Sequence, residues 1–151
     1  MDAGAHDAAV RELNAHRQRY PESERLLEVD FSLGISLRAL GRHPSAIQAL
    51  RRVTSAHRGE TAARAQYEIG ECFRDQNDHE SALSEYLKVR FIYGHDEWVA
   101  ASMYRAGECF DKLGQPDRAK TAFAELAEKY PDSPWTARRN GKTKTPARGG
   151  L

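Results

Sequence analysis

An all-α fold, built as a stack of antiparallel helix pairs, is what this sequence predicts, and three observations carry the prediction. The first is repetition. Gly34, Gly70 and Gly107 lie 36 and 37 residues apart, and each is followed twelve residues later by an alanine (Ala46, Ala82, Ala119). Four residues beyond each alanine stands a large apolar side chain: Leu50, Tyr86 or Phe123. A period of this length marks a stacked-repeat architecture. The second is a turn signal at the same point of every copy. Gly41, Asn77 and Gly114 suit the left-handed conformation that ends a helix, and Pro44 and Pro116 suit the first turn of a new one. The third is a stripe at i, i+4, i+7 in each second helix: Ala46/Leu50/Val53, Ala82/Tyr86/Val89 and Ala119/Phe123/Leu126.

Taken in chain order, residues 1–5 are expected to be disordered. Residues 6–22 read as a half-repeat, because aligning Tyr20-Pro21-Glu22-Ser23 with Tyr130-Pro131-Asp132-Ser133 sets Ala9 on Ala119 and Leu13 on Phe123. Three full units follow at 26–60, 63–96 and 100–133. In unit two Asn77 ends the first helix and Asp78 caps the second. Glycine and alanine in each unit mark a close helix crossing, with larger side chains filling in beside it. Residues 134–139 begin a further helix, and Trp135 aligns with Trp98, each placed just ahead of a first helix. A solenoid that stops in bare partial units looks cut from a longer array, since such stacks end in polar caps. Residues 140–151 are poor in apolar side chains and rich in Gly, Lys and Arg, so a disordered basic tail is expected there.

The bulk properties agree. Composition is 40% hydrophobic and 30% charged, which suits thin helical layers with one buried stripe each. A net charge of +1 creates no overall pull toward nucleic acid or a membrane surface. The apolar runs are far short of a bilayer span, so no transmembrane segment is expected. Cys72 and Cys109 occupy one position in consecutive units, inside the string Gly-Glu-Cys-Phe. Neighbouring helices stand about 8–10 Å apart, too far for a disulfide, so both read as buried free thiols.

Chemistry-bearing motifs are scarce in this sequence. The histidines His6, His16, His43, His57, His79 and His95 form no His-Glu-x-x-His pair, and no Cys-x-x-Cys or glycine-rich phosphate loop occurs. The set Cys72/His79/His95/Cys109 puts thiols within helices and imidazoles near turns, a poor arrangement for a metal. Glu71 and Glu108 recur from unit to unit, whereas a catalytic carboxylate is normally unique. The expectation is therefore no enzyme, no catalytic or metal-binding residues and no cofactor.

The glycine–alanine–aromatic spacing, with Pro131 closing the third unit, resembles the tetratricopeptide repeat. Two departures stand out. The usual opening tryptophan, four residues before the glycine, is Asp30, Gln66 and Met103 here, and the units exceed the common length of about 34 residues. The lengthening and the Tyr-Pro-x-Ser links resemble tetratricopeptide repeats of bacterial envelope proteins. The resemblance implies a right-handed superhelical solenoid whose first helices line a concave groove for a protein or peptide partner, with no small-molecule substrate. It also implies a periplasmic setting for a fragment of an exported protein. A chain complete as it stands, lacking a secretion signal, points instead to the cytoplasm. The groove-facing residues it implies are Phe31, Ile35 and Arg38 in unit one, and Arg64, Tyr67, Glu71 and Arg74 in unit two, with Asp75 at the edge. Unit three supplies Tyr104, Glu108 and Asp111, with Arg105 beside them. An aromatic in every unit among charges of both signs suits a partly apolar partner segment. Two alternatives stand beside this reading: self-association through the bare end units, and contact with nucleic acid through the basic tail. The mixed signs of the groove argue against the latter.

Overall fold

The computed structural model describes residues 2–141, which form eight α-helices and one π turn with no strand among them. The helices are α1 (Ala3–Arg19), α2 (Leu26–Ala39), α3 (His43–Ala56), α4 (Glu60–Asp75), α5 (His79–Lys88), α6 (Asp96–Lys112), α7 (Pro116–Lys129) and α8 (Pro134–Arg139). The π turn, Val89–Tyr93, continues α5. The hairpins α2/α3, α4/α5 and α6/α7 are three successive units, with α1 packed on α2 before them and α8 packed on α6 and α7 after them.

Local chemistry sets the hairpins. Gly41, Asn77 and Gly114 all adopt positive φ, at 70°, 60° and 70°, so the same left-handed turn recurs in each unit as expected. Pro44 and Pro116 sit in the first turns of α3 and α7. The Asp78 side chain accepts from the Ser81 amide to cap α5. At the start of the chain the expected disorder of residues 1–5 is corrected for residues 2–5. Asp2 accepts a hydrogen bond from the Gly4 amide, and this cap lets α1 begin at Ala3. Likewise α4 begins at Glu60 and α6 at Asp96, a little before residues 63 and 100. Acids in both first turns suit the positive helix end. Trp98 and Trp135 consequently lie inside their helices. The tail expectation at 140–151 falls, from residue 142 on, outside the described residues.

Each hairpin closes over its glycine. A methyl group at Gly34, Gly70 or Gly107 would overlap the Leu50, Tyr86 or Phe123 side chain, so the glycine makes room for the large residue of the same unit. The interior divides into two apolar clusters. Val10, Leu33, Leu50, Ile69 and Cys72 belong to the first; Tyr67, Tyr86, Met103, Cys109 and Leu126 belong to the second. Helix α4 feeds both, which explains why it is buried on nearly every side.

The hairpins stack in succession: α1 packs on α2, α3 on α4 and α5 on α6. The backbones of first helices also approach their successors, α2 with α4, α4 with α6 and α6 with α8. Among the described residues successive second helices stand further apart and meet only through long side chains such as Arg51 and Glu85. Closer approach on one side bends the array toward that side. Helices α2, α4, α6 and α8 therefore form the inner wall.

Candidate functional site

The inner wall has two halves. Near the N-terminal ends of its helices, aromatic and arginine side chains stack from unit to unit. The Arg64 guanidinium lies over Phe31 at 4.8 Å and over Trp98 at 5.5 Å from the ring centroids. Trp98 stands 5.5 Å from Tyr67, and Trp135 stands 5.4 Å from Tyr104 and 6.4 Å from Tyr67. Arg138 extends the stack over Tyr104 and Trp135. Each unit's groove aromatic is thus covered by the unit that follows.

This covering decides which of the expected groove residues face outward. Tyr67 is 6% exposed and Tyr104 9%, with Glu71 and Arg105 equally buried, so these four build the wall and offer a partner little surface. Among the expected groove residues these four are therefore inward-packed. The aromatics meet the tryptophans of α6 and α8, and the charged pair meets itself, with Arg105 Nε 2.9 Å from Glu71. Phe31, Ile35, Arg38, Arg64, Arg74, Glu108 and Asp111 keep accessible surface.

Toward the C-terminal ends of the wall helices, the two junctions between units differ. At the first seam, between α2 and α4, Arg38 crosses the gap. It donates to Glu68 and to Asp75 at 2.8 Å each and to Glu71 at 3.4 Å. Burial works to lower the Arg38 pKa, but the hydrogen bond it donates to Asp75 and the charges of Glu68, Asp75 and Glu71 more than reverse it, so the cation is held firmly. Burial also raises the pKa of Glu68 despite the opposing charge of Arg38.

At the second seam, between α4 and α6, the residue aligned with Arg38 is Arg74. Facing it across the gap are Arg105 where the first seam has Glu68, and Lys112 where it has Asp75. Like charges repel it. Glu108, the remaining acid, is occupied by Arg105 at 2.8 Å. Arg74 therefore turns back to Glu71 of its own helix, at 2.7 Å. An open cleft of about 540 Å³ remains, lined by Arg74, Asp75, His79, Glu108, Asp111 and Lys112 among others. Three of the expected groove residues, Arg74, Glu108 and Asp111, meet there. Sequence reasoning missed Glu68, His79 and Lys112. The signal for two of them was present as a reversal of charge between aligned positions, Glu68 to Arg105 and Asp75 to Lys112.

Glu71 ties the seams together. Its carboxylate accepts from Tyr86 at 2.6 Å, faces Arg105 at 2.9 Å, and receives Arg74 and Arg38 on its other oxygen. Burial, and then the charge of Glu71, push the Tyr86 hydroxyl pKa far up, so it stays protonated and remains a donor. Tyr67 is pushed up to about 12, chiefly by burial. Cys72 and Cys109 are free and buried, as the spacing argument expects. Burial raises their thiols to about 12 and about 11, so neither is a ready nucleophile. Among the described residues no cluster of His, Cys, Asp and Glu gathers to hold a metal ion, and no helix is long and apolar enough to cross a membrane.

Comparison with known proteins bears on the fold. The crystal structure of MamA superposes with a TM-score of 0.69 at 18% identity, covering 92% of this chain and 81% of that one. The crystal structure of PcrH in complex with the chaperone binding region of PopB superposes with a TM-score of 0.65 at 22% identity, covering 80% of this chain and 97% of that one. No curated protein sequence matches significantly. Two tetratricopeptide-repeat family models match the chain, one over residues 31–96 and one over residues 101–133, together about two thirds of its length. With the stacked hairpins, the recurring left-handed turns and the glycine seated under a large side chain in every unit, these matches make the chain a member of the tetratricopeptide-repeat family.

Proposed function

We propose that this protein is an interaction adaptor that holds a segment of a partner protein along the inner wall, anchored in the open cleft of the second seam. The observation that carries the reading is that cleft. It is the place on the wall where charged side chains of both signs converge and remain accessible: Arg74, Asp75, Glu108, Asp111 and Lys112. A segment with both a basic and an acidic residue, spaced to meet Asp111 and Lys112, fits this pattern. The half-exposed Phe31 and Ile35 offer apolar contact further along the wall. Support also comes from the family, whose arrays bind through their curved inner surface, and from PcrH, a structural neighbour described in complex with a binding region of another protein. The lengthened units and Tyr-Pro-x-Ser links favour a bacterial envelope complex as the setting, and cell fractionation of the native host would test it.

Partner capture by an Arg74→Ala/Asp111→Ala variant tests the assignment. Glu71 keeps Arg38, Arg105 and Tyr86 when Arg74 is removed, so the fold should survive. Co-purification from native extract should drop at least about tenfold for the variant, as removal of two interfacial charges implies. Undiminished capture by a folded variant would move the partner off this cleft.

A further inference from the structure

On the outer face, the second seam again lacks what closes the first. Between α3 and α5 the buried carboxylate of Glu85 accepts from Arg51 at 2.8 Å, lies 2.9 Å from Lys88, and takes a short hydrogen bond from Gln66. Those four side chains fill the gap. Between α5 and α7 the aligned residues are Ala122 for Glu85, Leu87 for Arg51, Met103 for Gln66 and Glu125 for Lys88. Alanine removes the filling carboxylate, while leucine and methionine remove its partners. What remains is an open, mostly apolar cavity of about 250 Å³, floored by Met103 and walled by Leu87, Phe110 and Ala122. Its size suits one aromatic side chain.

Such a side chain stands beside it. Arg90 lines the cavity, and the next two residues of the π turn, Phe91 and Ile92, are 75% and 50% exposed. A projecting phenylalanine next to a phenylalanine-sized hole is the shape requirement for a two-fold contact, in which residue i of one copy meets residue j of the other and the reverse. The rim charges meet the same requirement. Arg118 and Glu125 both border the cavity and lie seven residues apart on α7, about 10 Å at 1.5 Å per residue. Two α7 helices crossing antiparallel set Arg118 of each copy against Glu125 of the other, a carboxylate that Arg90 of its own chain holds at 2.8 Å while about a third of it stays exposed. A net charge of +1 puts little repulsion in the way.

We infer that two copies of this chain pair about a two-fold axis through this outer face, each seating Phe91 in the other's cavity between α5 and α7. The contact closes on itself, so it stops at a dimer, and it leaves the inner wall free.

Sedimentation equilibrium of the full chain across the micromolar range tests this. The wild type should show a monomer–dimer equilibrium with no larger species. Phe91→Ala, on an exposed side chain, should weaken pairing at least about tenfold, the loss expected for a central aromatic anchor. Met103→Trp should do the same by filling the cavity; if it fails to fold, Ala122→Glu blocks the same space. Mixing Phe91→Ala with the blocked variant leaves one intact Phe91 and one open cavity. A heterodimer should then form where neither protein pairs with itself. A wild type that stays monomeric, a Phe91→Ala protein that pairs as tightly as wild type, or open-ended growth beyond the dimer would each overturn the inference. So would a cavity that takes a foreign apolar peptide while the wild type remains monomeric. None of these results depends on Arg74 or Asp111, so they separate from the groove test.

Discussion

The two junctions between complete units share one backbone plan and differ in almost every polar detail. At the first, an arginine and a glutamate act as bolts: Arg38 crosses the inner side to three acids, and Glu85 fills the outer side with three donors. At the second, Arg74 keeps the place of Arg38 but faces partners of reversed sign, and Ala122 stands in place of Glu85. A pocket stays open on each side, the outer one spanned by the Arg90–Glu125 pair at 2.8 Å. The glycine seat, the left-handed turn and the apolar stripe are the same in both units. Repeat architecture is thus carried by the apolar columns of the alignment, while the polar columns are free to decide which junction is sealed and which is available for contact.

Substitutions can break or sharpen that contrast. The largest effect is expected at Glu71, which serves both junctions. Glu71→Ala strips the buried Tyr86 hydroxyl of its acceptor, leaves the nearly buried Arg105 with only Glu108 and the Tyr67 hydroxyl, and should cost about 3–5 kcal/mol in urea denaturation, as loss of one partner from a buried pair does. Next comes Glu85→Ala, which leaves the buried Gln66 amide without its partner and should cost about 1–3 kcal/mol. Arg51 and Lys88 are partly solvated and add little. The same variant has a pH signature. Burial works to raise the Glu85 pKa, but hydrogen bonds from Lys88, Arg51 and Gln66 outweigh it and hold the carboxyl below its ordinary value. Its contribution is therefore present above the ordinary carboxylate pKa and is lost as pH falls through the depressed one. Stability of Glu85→Ala should decline less steeply on acidification than that of the wild type. The smallest effect is at the open junction. Lys112→Asp restores the acid that Arg38 enjoys in the first seam; it should stabilise by less than about 1 kcal/mol, as partly exposed pairs do. Arg74 should then turn outward and reduce partner capture. Unchanged capture together with unchanged stability would mean that charge at residue 112 does not hold the cleft open.

The hairpins were legible in the sequence because the residues that make them are forced to recur. Gly34, Gly70 and Gly107 each lie under a large side chain, and Gly41, Asn77 and Gly114 each hold positive φ, so the same columns repeat three times. The site was legible only in part. The family resemblance put Tyr67, Tyr104, Glu71 and Arg105 among the groove residues, and helical spacing set each unit's residues on one face, yet neither carries information on how near the next helix stands. The approach of α6 and α8 is what buried them, through Trp98 and Trp135. The cleft was hidden for a related reason. It arises from a relation between columns in different units, Arg74 opposite Arg105 and Lys112, and a single unit read alone does not display it.

The π turn accounts for the unequal spacing of the units. Val53 and Val89 hold the same position, yet Gly70 follows the first by 17 residues and Gly107 follows the second by 18. The extra residue enters at Val89–Tyr93, where the helix widens by one amide and expels Phe91. An insertion that would ruin a hairpin interior is absorbed in the link, where only the pitch of the stack must adjust. One extra residue in a link thus leaves the hairpin interiors as they are and gives the back of the molecule an apolar projection at Phe91.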